Sequence, residues 1–418
     1  MKNLTALIIL WLIVMGADAF ARNVAKSNSL QKPPHSKKFL QLLQSSCHTP
    51  RDLLQNIGQH LSTSNDYEGK VASLVLIRLA KLMITIDNKQ FELHAKSSST
   101  LSNQDVTVIS HVCQVLSTCI QQRDYNDKLM IDTAVDGIKA AAVLSRILHR
   151  SSVIGNQMSD ATIMNMVDSC RSFDPQILEP HHLSGLIWSF DCFEQQCDYL
   201  NIPEAIISTF QDLKLPFRVR PGFLARHATR IEEGNAQFEL TLENIISQVD
   251  FSAEEIRTSS NQVVRERRQT AWQGEGGVPG FAYSGKIMET KRFSPVVRTV
   301  RDILNEKMGS YYDCCLLNLY PDGDSGMRYH IDPDQNLRWG LDTCVVSVGA
   351  TRRFAFRDIP GKKTASISQP HNFVVMDGDV THMFDNCQSE FQHSVKTSED
   401  KGENASRSSL VFKQCLMK

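Results

Sequence analysis

Two histidines and an aspartate near the C-terminal end are the residues of this chain that could carry out chemistry. His330 and Asp332 stand two positions apart, and His393 follows later in the chain. In a β-strand, side chains two positions apart point to the same face, so the first two could reach one metal ion. Two imidazoles and one carboxylate can occupy one face of a non-haem Fe(II) ion and leave the other positions open for a cosubstrate and O2. These residues therefore predict an iron centre.

A cation downstream of these ligands could bind the cosubstrate. Arg407 opens the run Arg-Ser-Ser-Leu-Val-Phe-Lys at residues 407–413. A guanidinium can bind both oxygens of a carboxylate at once, so Arg407 could hold a dicarboxylic acid beside the metal. His382 is a competing candidate for the third metal ligand, because it too follows a strand-like run, at residues 379–381.

The composition is that of a globular protein with more than one domain. A chain of 418 residues can fold into two or three domains, and its 41% hydrophobic and 22% charged residues exclude wholesale disorder. A net charge of −1 and a pI near 6.9 exclude a uniformly basic nucleic-acid binder. Between residues 257 and 301, however, nine Lys or Arg residues stand against three Glu. The sequence therefore allows a basic surface on one part of the molecule.

The eleven cysteines are scattered, odd in number and without a Cys-x-x-Cys pair. That spacing predicts neither a zinc site nor a regular disulfide framework. We expect small buried thiols in a reducing compartment.

The N-terminal residues resemble a targeting leader in two parts. In residues 1–19, Lys2 precedes an apolar run that ends in small residues, which is typical of a signal peptide. Residues 20–38 contain Lys, Arg and Ser but no acidic residue, which is typical of a transit peptide. Together they resemble the plastid-targeting leaders of algae with secondary plastids, and the secretory pathway is the alternative destination. The apolar run is shorter than the roughly 20 residues that span a bilayer, so we expect no stable membrane anchor.

Residues 39–225 are predicted to form an all-α domain, an array of helices. Apolar residues recur there at helical spacing, in runs separated by polar loops. The predicted helices cover residues 70–86, 106–122, 133–150, 160–172, 180–190 and 203–213. Residues 183–190 resemble the degenerate helical repeats of organellar RNA-binding proteins. That resemblance implies an RNA partner, and the alternative is a helical domain that only packs or recruits a protein.

Residues 226–418 are predicted to form a second domain that is rich in strands. Short runs of β-branched and aromatic residues indicate strands at residues 343–348, 353–357, 372–376 and 409–412. Helices are predicted at residues 240–249 and 294–307, where Pro295 suits the first turn and Gly309 the end. We therefore expect an α+β protein, with an N-terminal all-α helical array followed by a C-terminal double-stranded β-helix, or jelly roll.

The core of this second domain, residues 262–413, resembles the AlkB family of nucleic-acid dealkylating oxygenases. The matching motif pairs are Asn-Leu-Tyr-x-x-Gly at 318–323 with His-Ile-Asp at 330–332, Ser-Val-Gly-Ala at 347–350 with Phe-Ala-Phe-Arg at 354–357, and Gln-His-Ser-Val at 392–395 with Arg407. They are similar to the family's N-x-Y-x-x-G with H-x-D, its S-x-G-A with F-x-F-R, and its distal histidine with an R-x-N-x-T-x-R ending.

The resemblance implies a role for each residue of the site. His330, Asp332 and His393 would bind Fe(II), and His393 is favoured over His382 because its surroundings match the family's distal histidine. Arg407 would bind the distal carboxylate of 2-oxoglutarate, the cosubstrate of the family.

The resemblance also implies further contacts to 2-oxoglutarate. Asn318 and Tyr320 would donate hydrogen bonds to it. The ending departs from the family pattern, because Ser409, Val411 and Lys413 stand where the family has Asn, Thr and Arg. Ser409 could still hydrogen-bond the cosubstrate, and Lys413 keeps the positive charge but loses the planar fork of an arginine.

The activity that the resemblance implies is oxidative demethylation of alkylated bases in DNA repair or RNA demethylation. 2-Oxoglutarate would be converted to succinate and CO2, and the N-methyl group would leave as formaldehyde. The base would come from a single strand or flip out of a duplex, because a stacked base is inaccessible. Tyr283 would stack on it, Asp334 would contact its exocyclic group, and Arg267 and Arg268 would bind phosphates.

Each of these substrate contacts has an alternative. Tyr283 could be a packing aromatic, Asp334 a solvated turn residue, and the arginines a solvated run of charge. Two other functions also stay open for the whole chain. It could be a 2-oxoglutarate oxygenase that acts on a protein, or an organellar RNA-binding helical protein whose oxygenase domain has decayed.

Overall fold

The computed structural model describes most of the chain after residue 67. The described residues are 50, 53–54, 68–89, 103–122, 128–150, 157–224, 231–233, 236–238, 240–253, 255–257, 262–283, 285–361, 369–400 and 402–417. The chain divides into two compact units, residues 1–83 with 99–174 and residues 84–98 with 175–418. The predicted signal peptide and transit-like segment, residues 1–38, lie outside the described residues. Across the described ranges, no helix has the length and apolar character needed to cross a membrane.

Helices make up the described part of the first unit. They are α1 (Glu68–Asn88), whose last turns belong to the second unit, α2 (Asn103–Gln122), α3 (Lys128–Arg150) and α4 (Asp160–Ser169). Gly137 lets α3 lie close to α1 and α2, because a Cβ there would stand 2.6 Å from Ser73 Oγ and 2.8 Å from Leu116 Cδ2. The helices predicted in this part of the sequence are confirmed.

The described part of the second unit contains five further helices and sixteen strands. The helices are α5 (Pro180–Phe193), α6 (Glu204–Leu213), α7 (Leu242–Gln248), α8 (Pro295–Met308) and α9 (Cys387–Glu390). The strands are β1 (Phe217–Arg220), β2 (Ile231–Glu233), β3 (Ala236–Phe238), β4 (Glu255–Arg257), β5 (Val263–Arg265), β6 (Gln269–Gly274), β7 (Phe281–Tyr283), β8 (Lys286–Met288), β9 (Cys314–Tyr320), β10 (Met327–His330), β11 (Trp339–Gly349), β12 (Arg352–Asp358), β13 (His371–Val375), β14 (Val380–Met383), β15 (Phe391–Val395) and β16 (Arg407–Cys415).

Two antiparallel sheets dominate this unit. The larger has six strands in the order β1-β14-β11-β16-β9-β6, and the smaller has four in the order β10-β15-β12-β13. Three two-stranded pairs, β2-β3, β4-β5 and β7-β8, complete the strands. In both sheets, strands that are distant in sequence lie side by side, so residues from separate motifs can meet.

One face of the six-stranded sheet forms the hydrophobic core with α7 and α8. Pro295 starts α8 and Gly309, with φ at +67°, ends it. The buried residues of α8 are Val296, Val297, Val300 and Leu304, and they pack on apolar residues of β9 and β16. Burying one such Val or Leu side chain stabilises the fold by roughly 1.5–3 kcal/mol.

The opposite face of the six-stranded sheet points toward the four-stranded sheet. The backbone register places Arg407 and Ser409 of β16 opposite Tyr320 and Asn318 of β9, so these four side chains share that face. Aromatic contacts join the two sheets, since the ring of Phe217 in β1 stacks on that of Phe356 in β12 at 3.9 Å between centroids. The residues predicted to bind metal and cosubstrate therefore lie between two sheets.

The chain has N-terminal helices and a C-terminal antiparallel sheet domain, as the sequence predicts. Helices α5 and α6 belong to the second unit with the strands, and Trp188 of α5 contacts Phe373 of β13 at 6.4 Å between ring centroids. The predicted domain boundary near residue 225 stays a prediction.

Candidate metal centre and cosubstrate pocket

His330, Asp332 and His393 converge although they come from distant parts of the sequence. His330 ends β10 and pairs across the sheet with His393 of β15. Asp332 Oδ1 lies 3.5 Å from His330 Nε2 and 3.6 Å from His393 Nε2. The ligand atoms of all three residues lie within 4.8 Å of one another. Atoms this close can contact a single metal ion.

Hydrogen bonds orient two of these side chains. His330 Nδ1 lies 2.9 Å from the backbone carbonyl of Arg328, to which it can donate, and this leaves Nε2 for a metal. Gln388 of α9 accepts from the Asp332 backbone N–H at 3.0 Å and donates to Asp332 Oδ2 at 3.3 Å. No motif in the sequence marks Gln388.

The buried environment holds these groups in the forms that bind metal. Burial by itself would raise the pKa of the Asp332 carboxyl, but Lys413 and the two histidines hold that pKa well below its usual range. Burial lowers the pKa of His393 to about 3. The ring of Phe354 lies parallel to that of His393 at 5.7 Å and contributes to this burial. A carboxylate and a neutral imidazole are the forms that metal binding requires.

Lys413 contacts the metal-binding carboxylate. Its Nζ lies 2.7 Å from Asp332 Oδ2 and 3.2 Å from Thr343 Oγ1, and its side chain is 1% exposed. The resemblance assigned Lys413 to the cosubstrate, and that contact stays a prediction beside the ion pair with Asp332 that the structure shows. A compact ammonium on a flexible stem can make this contact, which no motif signals.

Arg407 lies fully buried in the middle of the six-stranded sheet. Its Nη2 donates to Ser347 Oγ at 3.1 Å, while its Nε and Nη1 make no hydrogen bond within the described residues. Burial lowers the pKa of the guanidinium to about 10, so Arg407 stays charged at neutral pH. Gly349, with φ at +89°, lies so close to the backbone of residues 406–407 that a Cβ there would stand 2.8 Å from the Ser406 carbonyl oxygen. A buried cation with two unused donors fits a carboxylate ligand.

Other polar side chains border this guanidinium. The Asn318 Oδ1 atom is buried and has no hydrogen-bond partner in the described part of the chain. The ring of Tyr320 lies beneath Arg407, at 5.6 Å from its Cζ. Ser409 is buried between Asn318 and Ser347 in the register of the three strands. These polar groups, together with the His and Asp cluster, fit Fe(II) and a dicarboxylic acid.

His382 lies apart from this cluster. Its Nε2 is 2.8 Å from Asp342 Oδ1, which also accepts from the Tyr312 hydroxyl at 2.6 Å. His382 pairs in register with Cys344 on the core side of the sheet. The structure therefore groups His393, and not His382, with His330 and Asp332.

Tyr283 and Arg268 meet at Glu266, a carboxylate that the sequence analysis did not single out. Tyr283 donates to Glu266 Oε2 at 2.9 Å, and Arg268 Nη2 lies 2.9 Å from Glu266 Oε1. Lys286 lies 4.5 Å above the Tyr283 ring. The Arg268 side chain is 10% exposed and paired with Glu266, and its expected phosphate contact stays a prediction.

Two other expected substrate contacts are at the surface. The Arg267 side chain is 72% exposed, as a phosphate-binding residue would be. Asp334 lies in the loop after β10 with φ at +56°, and its carboxylate is 4.0 Å from Arg338 Nη1. Both remain predicted substrate contacts.

Comparisons with known proteins agree with this geometry. The family model of the 2OG-Fe(II) oxygenase superfamily matches residues 218–413. An uncharacterized protein, R406, of Acanthamoeba polyphaga mimivirus is 31% identical over 157 residues, which are 38% of this chain and 78% of R406. The DNA oxidative demethylase ALKBH2 of Mus musculus is 29% identical over 151 residues, 36% of this chain and 62% of that protein.

A human relative extends the comparison. The alpha-ketoglutarate-dependent dioxygenase alkB homolog 3 of Homo sapiens is 33% identical over 97 residues, 23% of this chain and 33% of that protein. The chain thus spans less than two thirds of both named demethylase and dioxygenase relatives. The matched region nevertheless contains the cluster around His330, Asp332 and His393. The C-terminal part of this chain, residues 218–413, is therefore an AlkB-like domain of the 2OG-Fe(II) oxygenase superfamily.

Proposed function

We propose that this protein is an Fe(II)- and 2-oxoglutarate-dependent dioxygenase that demethylates alkylated nucleic-acid bases, in DNA repair or RNA demethylation. The observation that carries the proposal is the convergence of His330, Asp332 and His393, together with the buried, incompletely paired Arg407 on the sheet face that points toward them. The three ligands would hold Fe(II), and Arg407 would bind the distal carboxylate of 2-oxoglutarate. When bound, iron and cosubstrate supply the oxidation of the methyl group by O2.

The other residues of the pocket would position these groups and exclude water. Asn318, Tyr320 and Ser409 would hydrogen-bond the cosubstrate from the same sheet face as Arg407. Lys413 would hold the Asp332 carboxylate in place through its ion pair. The two sheets would enclose the site as a double-stranded β-helix, the jelly roll expected from the sequence.

A nucleic-acid base is the substrate that the relatives and the surface residues favour. ALKBH2 of Mus musculus is named a DNA oxidative demethylase. Tyr283 would supply an aromatic ring, and the exposed Arg267 would contact phosphate without reading sequence. Asp334 would accept a hydrogen bond from the exocyclic group of the base. The RNA or protein partner of the helical region, and a plastid location, stay predictions.

Turnover of a methylated oligonucleotide tests this function. Purified protein with Fe(II), 2-oxoglutarate and a 1-methyladenine oligonucleotide should release formaldehyde and succinate in equal amounts. The His330→Ala variant should release neither, because it lacks one of three metal ligands. Formaldehyde and succinate are quantified in the same reactions, with DNA and RNA versions of the oligonucleotide compared side by side.

The unmethylated oligonucleotide is the matched control for that experiment. It should yield no formaldehyde. If succinate is produced but neither methylated DNA nor methylated RNA yields formaldehyde, a nucleic-acid substrate would be excluded. That result would point to a protein substrate. RNA binding without any turnover would point to a helical RNA-binding protein with an inactive oxygenase domain.

A further inference from the structure

Two cations face one aromatic ring on β10, the strand that carries His330. The Lys396 Nζ lies 3.7 Å and the Arg357 Cζ lies 4.1 Å from the centroid of the Tyr329 ring. Tyr329 is in β10, Arg357 is in β12, and Lys396 directly follows β15. Three neighbouring strands of the four-stranded sheet therefore bring two positive charges to one place, which we call the Tyr329 cation pair.

The Tyr329 cation pair has no acidic partner within the described residues. Arg357 Nε donates to the neutral amide oxygen of Gln392 at 2.9 Å. Neither Arg357 nor Lys396 forms a salt bridge with a described carboxylate, whereas Arg353 on the same strand as Arg357 pairs with Glu399. Cation–π contacts contribute only about 0.5–1 kcal/mol each at exposed sites, and the two like charges repel one another. This arrangement is therefore suited to binding an anion.

Arg353 gives the contrasting case on the same strand. It stands four residues before Arg357 in β12, and its Nη2 lies 2.6 Å from Glu399 Oε1. Because this separation is an even number of positions, both side chains lie on the same face of β12. Arg353 is thus already neutralised, whereas Arg357 is not.

The Tyr329 cation pair lies at an edge of the site. Strand β10 is the edge strand of the four-stranded sheet, and Tyr329 directly precedes His330 in it. The His330 side chain is 30% exposed, so the candidate metal centre is open to solvent at this edge. A chain-like ligand that crosses the edge could place one unit at the metal centre and a neighbouring unit on the outer face.

We propose that Arg357, Lys396 and the Tyr329 ring bind one backbone phosphate of the nucleic-acid strand whose base enters the metal centre. This inference rests on the proposed function. The Arg357 guanidinium can donate two parallel hydrogen bonds to phosphate oxygens, and the Lys396 ammonium adds a second charge. Such a contact fixes the position of the strand and carries no sequence information.

The salt dependence of binding tests the proposal. Binding of the full chain to a fluorescein-labelled, unmodified single-stranded DNA is measured by anisotropy over a series of NaCl concentrations. Arg357→Gln and Lys396→Gln should each weaken binding about tenfold, as expected for a charged hydrogen bond. In the double variant, the slope of log K against log salt should become shallower by about 0.7, the value for one phosphate of a single strand.

Arg353→Gln is the matched control, because it removes the same charge from the same strand but from an existing ion pair. It should leave the slope at the wild-type value. A double variant that keeps the wild-type slope, or a control that changes it as much as Arg357→Gln does, would overturn the proposal. If Arg357→Gln lowers the melting temperature, its weaker binding could reflect a damaged fold. The Lys396→Gln result then decides whether the phosphate contact exists, because Lys396 lies beyond the end of β15.

This binding assay needs neither a methylated base nor turnover. A protein that binds DNA as expected but releases no formaldehyde would contradict the proposed activity and leave the phosphate contact standing. Formaldehyde release with unaltered salt slopes would contradict the phosphate contact alone.

Discussion

Replacing His393 with alanine abolishes Fe(II) binding and succinate production, whereas replacing His382 with glutamine preserves both. His393 Nε2 lies 3.6 Å from Asp332 Oδ1 within the candidate metal centre, and His382 is instead held by Asp342 on the core side of the sheet. The candidate iron site has three protein ligands, so loss of one should weaken the binding of Fe(II) enough to remove it at micromolar concentrations.

Iron binding is measured by anaerobic dialysis, and succinate is quantified in the same preparations. Melting temperatures of both variants show whether they fold. His382→Gln should lose some stability, because the partly buried hydrogen bond to Asp342 contributes at most about 1 kcal/mol. If iron binding survives in His393→Ala but is lost in His382→Gln, the third metal ligand would be His382 and not His393.

Replacing Arg407 with glutamine raises the KM for 2-oxoglutarate at least about 30-fold, since truncating one partner of a buried charge pair costs about 2–5 kcal/mol. Arg407 is fully buried, and two of its donor nitrogens are not used by the described protein residues. The side chain should therefore contribute mostly to cosubstrate affinity. The metal ligands do not contact it, so Fe(II) binding should persist.

Arg407→Lys is the conservative variant for this experiment. It keeps the charge and loses the planar fork, so its KM should lie between those of the wild type and Arg407→Gln. Succinate production is measured over a range of 2-oxoglutarate concentrations, with the melting temperature as a check on folding. An unchanged KM in a folded Arg407→Gln variant would show that another residue binds the distal carboxylate.

Local sequence patterns were enough to predict the residues that gather at the site. Alternation along a strand predicted that His330 and Asp332 could reach one metal. The order of motifs then nominated His393 and Arg407. The structure groups His393 with His330 and Asp332, and it buries Arg407 with two donor nitrogens unused by the described residues. The cosubstrate contact of Arg407 stays a prediction. Pro295 and Gly309 likewise marked the ends of α8 through local backbone preferences.

Contacts between distant segments could not be predicted in the same way. The ion pair of Lys413 with Asp332 depends on β16 lying across from the end of β10. Gln388 reaches Asp332 from the short helix α9, which has no strong sequence signal. Glu266 becomes important only because Arg268 and Tyr283 fold around it. Such pairings depend on tertiary packing, which a pattern along one segment does not encode.

Helix α5 shows the same limit at the level of the fold. Its sequence has helical spacing like that of the preceding helices, so the sequence predicts it as part of the same helical array. In the structure it packs on β13, where Ser184 Oγ lies 2.8 Å from His371 Nδ1. Helical periodicity predicts that a segment has an apolar face and does not predict which element covers it.

Calorimetric titration of 2-oxoglutarate into the anaerobic protein, with and without Mn(II), tests most directly whether metal and cosubstrate share one site. Mn(II) serves as a redox-stable substitute for Fe(II). If His330, Asp332 and His393 hold the metal beside Arg407, one 2-oxoglutarate should bind per chain, and at least about tenfold more tightly when Mn(II) is present. Equal affinity with and without Mn(II) would contradict a shared site.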